Sequence, residues 1–108
     1  MNVKELASVC GFKALCMPCP DREVSGAYAG DLLSWVMGRA SADNAWITIM
    51  SNINVIAVAS LADVSCVILA EGVAPDAQLL ETAETKGINI LSSAGPAFET
   101  AVLLSGKV

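Results

Sequence analysis

The sequence predicts an α/β fold: a layered sandwich on a mainly parallel sheet, with helices on both faces. Three observations predict it. From residue 45 onward, strand-like runs alternate with helical patterns in the order β-α-β-α-β-α, the order of parallel strands joined by right-handed crossovers. The run "SCVILA" (65–70) is apolar at successive positions, as a strand covered on both faces must be. The chain has 108 residues, the size of one domain, so residues 1–108 are read as a single unit.

Each element has its own reason. Asn2 followed by Glu5 has the spacing of a capping box, and Val3, Leu6, Ala7 and Cys10 then form one stripe of a short helix ending at Gly11. "FKALC" (12–16) alternates as a strand does. "MPCPD" must then be a turn, since its two prolines fix φ and remove donors. "VSGAYAG" (24–30) reads as a second extended piece. Asp31 is placed to cap the helix "LLSWVMG", with Gly38 as its stop.

"AWITIM" (45–50) is rich in β-branched residues, and Ser51 and Asn52 stand where a helix cap belongs. A helix over 53–63 follows, then the strand at 65–70 and the link "EGVAP". In "DAQLLETAETKG" the apolar stripe Leu79, Leu80, Ala83 lies opposite Glu81, Glu84 and Lys86. "INIL" (88–91) is the last strand, and Pro96 opens the final helix, "AFETAVLLSG".

Composition narrows the function. Net charge is −5, no histidine is present, and the Lys and Arg residues are scattered, so no basic patch for nucleic acid is expected. The longest apolar runs, "VIAVA" and "CVILA", are far shorter than the roughly 20 residues of a membrane span. Lys4 and Glu5 interrupt the place where an export signal would turn apolar, and a cytoplasmic location is expected, with reduced cysteines.

Catalytic constellations are scarce. There is no Gly-x-x-x-x-Gly-Lys-Ser/Thr loop for phosphates, and without histidine no Ser-His or Cys-His pair. No pair of carboxylates is marked out for acid/base work. A non-enzymatic role is expected, with no cofactor. Cys16 and Cys19 form a Cys-x-x-Cys spacing, the alternative being a zinc or iron–sulfur site. Such a site needs further ligands, from Cys10 or from a second copy. Cys66 reads as a small buried hydrophobe.

Two further surfaces stand out. Ligands of open parallel sheets collect beyond the carboxyl ends of the strands, which selects Ser51, Asn52, Glu71, Gly72, Ser92 and Ser93 for a small anionic or nucleotide regulator. The serines and the asparagine equally suit simple capping of their own helices. The helix at 53–63 carries Val55, Ile56, Val58 and Leu61 around most of its circumference. That pattern predicts a homodimer contact through Val55, Ile56, Ala59 and Leu61.

"DREVSGAYAGDLLSWVMG" (21–38), with "ITIMSNINVIAVASLADVSCVILAEGVAPD" and "AETKGINILSS", resembles the DRTGG domain, most specifically at Asp21-Arg22, Gly30-Asp31-Leu32-Leu33-Ser34 and "KGINILSS". It is similar in turn to the N-terminal domain of HPr kinase/phosphorylase. The resemblance implies an α/β sandwich used as a regulatory or dimerising module, found beside CBS domains in some inorganic pyrophosphatases and attached to some phosphotransacetylases. Small stand-alone relatives are associated with hydrogenase and iron–sulfur proteins, which makes a partner protein one expected ligand. Two departures stand out. Asp21-Arg22 is followed by Glu-Val-Ser-Gly rather than Thr-Gly-Gly, and the kinase P-loop domain is missing, so kinase activity does not carry over.

Overall fold

The N-terminal capping box forms as the spacing requires: Glu5 N–H donates to Asn2 Oδ1 at 2.8 Å, and Asn2 N–H donates to Glu5 Oε1 at 3.0 Å. In the computed structural model, which describes residues 1–108, this box starts α1 (Val3–Cys10), and Gly11 closes it in the left-handed conformation at φ 72°. The chain continues through β1 (Lys13–Cys16), β2 (Ala27–Ala29), α2 (Leu33–Arg39), β3 (Ala45–Thr48) and α3 (Asn54–Ala62). It ends with β4 (Cys66–Leu69), α4 (Ala77–Lys86), β5 (Ile90–Ser92) and α5 (Ala97–Leu104).

One five-stranded sheet runs in the order β1-β5-β4-β3-β2. Strands β2 to β5 are parallel neighbours in chain order, and β1 adds to β5 antiparallel. The side chains of β4 alternate as a doubly covered strand must. Val67 and Leu69 enter one core with Trp46, Val36, Val55, Ile56, Val58, Ala59 and Leu79; Cys66, Ile68 and Ala70 enter the other with Leu6, Ile47 and Leu104. Helices α2, α3 and α4 therefore cover one face, and α1 and α5 the other. The expected mainly parallel α/β sandwich is the fold observed.

Local details differ from the expectation. Asp31 does not cap α2. Its carboxylate instead accepts from Thr48 Oγ1 at 2.8 Å and Ile49 N–H at 3.0 Å, tying the end of β2 to the end of β3, while the cap position is Leu32 with no side-chain bond. Gly38 lies inside α2, which ends at Arg39 with Ala40 as its cap. Asn52 sits one residue outside the cap of α3, where its side chain still takes the Asn54 N–H at 2.9 Å.

The contact expected on α3 is corrected. This helix lies between α2 and α4, and Val55, Ile56 and Ala59 are buried by the chain itself. Of the four residues only Leu61, 72% exposed, is open to a partner. A helix with neighbours on both sides buries a wide arc, so most of its apolar circumference, Leu61 apart, is covered within one copy. Bare apolar side chains occur instead on α2, with Trp35 and Met37, and on α5, with Phe98 and Val102.

Candidate functional site

The carboxyl edge of the sheet brings together the loops after β3, β4 and β5. Glu71 and Gly72 follow β4 in two successive left-handed conformations, both at φ 62°. That turn aims their N–H groups at the next loop: Glu71 donates to Gly95 O at 2.8 Å and Gly72 to Ser93 O at 2.9 Å. Ser93 N–H returns to Leu69 O at 2.8 Å. The crevice between β4 and β5 is thereby closed by backbone bonds.

Two side chains at this edge are occupied as well, those of Ser93 and Asn52. Ser93 is buried, and its hydroxyl pairs with that of Thr100 at 2.7 Å. Asn52 bonds the start of α3, and the Ser51 carbonyl accepts from Asp76 N–H at 3.3 Å. Ser92 is half-buried at the end of β5, and Glu71 is exposed with its negative charge outward. The structure thus gathers Glu71, Gly72 and Ser93 into one hydrogen-bonded corner whose own N–H and hydroxyl groups are already paired. Parallel strands that run in chain order also lack the reversal that opens a crevice in doubly wound sheets.

A concavity of mixed character lies elsewhere. A cleft of about 390 Å³ runs between α3 and α4, with Ile53, Ile56, Ala57 and Leu61 as its apolar side and Asn54, Ser60, Thr82 and Lys86 as its polar one. A groove with both characters and one cation suits an amphipathic anion. Sequence reasoning missed it because Lys86 belongs to the solvated stripe of α4. Only the packing of α4 beside α3 turns that stripe into a wall.

The cysteines divide between the two faces. Cys10 and Cys66 belong to the core under α1 and α5, and Cys16 to the opposite core, so Cys10 is screened by the sheet from joining Cys16. The Cys16 thiol donates to Glu84 Oε2 at 3.2 Å and lies 3.7 Å from Ile88 O. Burial, then the hydrogen bond to Glu84 and its negative charge, push that thiol up to about 12. A protonated donor is a poor metal ligand. Cys19 is exposed, and its backbone is clamped by the buried Asn89, which accepts from Cys19 N–H at 2.9 Å and donates to Cys19 O at 2.8 Å. No group of three metal-ligating side chains is present. The "CMPC" segment is a fixed turn.

Arg22 acts below the sheet. Its Nη2 donates to Asp63 Oδ1 at 2.8 Å, Asp63 O at 2.7 Å and Asp43 Oδ1 at 3.1 Å. Asp43 and Asp63 are left-handed at φ 67° and 58°, in the turns that precede β3 and β4. One guanidinium thus fastens two turns.

The DRTGG domain model matches residues 30–106. A solved structure with the same fold is that of the CBS and DRTGG domains of the regulatory region of Clostridium perfringens pyrophosphatase, complexed with the activator diadenosine tetraphosphate. The superposition covers 95% of this chain with a TM-score of 0.76 at 13% sequence identity. This chain spans 45% of that one. No curated protein matches the sequence.

Proposed function

Because the chain belongs to the DRTGG domain family, we propose that it is a non-catalytic regulatory module that works as a homodimer and responds to a small anionic regulator or a partner protein. One observation carries the reading. A fold found in the regulatory region of a pyrophosphatase accounts for 95% of these residues. The four free cysteines suit work in the reducing cytoplasm. Hydrogenase and iron–sulfur proteins are the partner class that the family resemblance suggests. Such a partner would meet the exposed apolar surface rather than share a cluster, since the Cys16 thiol is held protonated against Glu84.

For a small regulator the α3/α4 cleft is the better receptor. It offers Lys86 to a phosphate and Ile53, Ala57 and Leu61 to a base. At the edge first selected, Ser51, Asn52, Glu71, Gly72, Ser92 and Ser93, the Glu71 and Gly72 N–H groups and the Ser93 hydroxyl are already paired within the chain. Thermal melting in the presence of ATP and of diadenosine tetraphosphate tests this arm. A ligand at about 100 times its Kd stabilises the folded state by about 2.7 kcal/mol, a rise of about 10 °C. The rise is expected in the wild type and reduced in Lys86→Glu. No rise with either nucleotide at millimolar concentration would reject these two nucleotides as regulators and leave the partner-protein arm.

A further inference from the structure

Resting on the homodimeric part of that reading, we propose that the free edge of β2 is the seam between two copies of this chain. Each β2 lies antiparallel to the other, and two five-stranded sheets become one continuous sheet.

The bonding pattern of β2 supplies the first reason. Gly26 O accepts from Ala45 N–H at 3.0 Å, and Gly30 N–H donates to Ile47 O at 3.0 Å, so the even-numbered residues turn their polar groups toward β3. Ala27 and Ala29, in between, point their N–H and C=O groups away from the sheet. The pattern is self-complementary. A two-fold axis beside Tyr28 sets Ala27 against Ala29 of the second copy, and each such pair exchanges two hydrogen bonds. A foreign strand would need a matching length and register by chance, whereas a second copy has both.

The chemistry of this edge supplies the second reason. Natural sheets guard their edges with charge or proline. The opposite edge follows that rule, with Lys13 in β1 and Pro18 and Pro20 just after it. Residues 24–30, Val-Ser-Gly-Ala-Tyr-Ala-Gly, hold neither a charge nor a proline, and both alanines are exposed. Upstream the chain protects itself, since Val24 N–H donates to Met1 O and Val3 N–H to Arg22 O. The bare stretch is β2 alone.

The surroundings fit a like partner. A chain of net charge −5 repels its own copy, and an uncharged strip is where that repulsion is least. On one face the strand leads into α2, with Trp35 52% exposed; on the other α5 lies across β2 and β3, with Phe98 77% exposed. Both bordering helices thus carry apolar surface left open in one copy, chiefly at Phe98 and in part at Trp35, one face of which the Arg39 guanidinium covers at 3.6 Å.

Sedimentation velocity at micromolar concentration tests the seam, using the wild type, Ala29→Pro, the double variant Ala27→Lys/Ala29→Lys, and Leu61→Glu on α3 as a control. Proline deletes one outward donor per strand, and the lysines set like charges face to face. The expected result is a dimeric wild type and Leu61→Glu, and a dissociation constant raised about tenfold or more in both edge variants, with unchanged circular dichroism. Amide exchange at positions 27 and 29, the outward-facing ones, should be slow in the dimer and fast in the lysine variant. Edge variants that dimerise as the wild type does would overturn the seam while leaving the dimer standing. A monomeric wild type would overturn the dimeric reading and the seam with it.

Discussion

Arg22 shows how a residue singled out from sequence acquires its role only in three dimensions. In the sequence it is half of a family-like pair, 21 and 41 residues from its two partners; in the structure it bonds two aspartates that occupy left-handed turns. Nothing local in "PDREV" names Asp43 or Asp63. Arg22→Ala is expected to cost about 1–2 kcal/mol in urea unfolding, and Arg22→Lys to recover only part of it, because the shorter lysine does not carry its ammonium to the point where Nη2 meets both aspartates. The buried thiols give a second prediction at this scale. Burial pushes Cys66 up to about 12, and burial with Glu84 does the same to Cys16, whereas the unfolded thiols titrate near 9.0. Above about pH 9 the unfolded chain loses protons that the native chain keeps, so stability is complete below that pH and falls toward pH 12, by up to about 1.4 kcal/mol per pH unit for each thiol. Melting temperature between pH 8 and 11 should fall less steeply in Cys66→Ala than in the wild type; equal slopes would reject the assignment.

Among the elements, those with a strong local pattern were legible and those defined by neighbours were not. The capping box, the Gly11 stop and the doubly apolar β4 are each written in a few adjacent residues, and they formed as read. The excess of apolar surface was also legible, but its location was not. Periodicity reports how much of α3 is apolar; it does not report that α2 and α4 flank it, which is why Val55, Ile56 and Ala59 are core residues. The candidate ligand residues fared similarly, because a capping serine and a binding serine look alike until Thr100 is found against Ser93. A charge therefore separates the two sides of α3. Ala59→Glu is expected to destabilise by several kcal/mol, and Leu61→Glu by less than about 0.5 kcal/mol, by chemical denaturation.

At the scale of the whole molecule, the alternation of elements specified the fold class, and the order of strands within the sheet was beyond its reach. That β1 joins β5, leaving β2 at the far edge, depends on a long-range antiparallel pairing between residues 13–16 and 90–92. The edge left open is the one without charge or proline, and it is where the proposed seam lies. Two copies joined there would sit with their centres about 24 Å apart, five strands at about 4.8 Å each. Small-angle X-ray scattering of the wild type tests this most directly. Twice the chain mass and a radius of gyration of about 17 Å are expected for that arrangement. A single-chain mass, with a radius near the 11.8 Å of one copy, would contradict it.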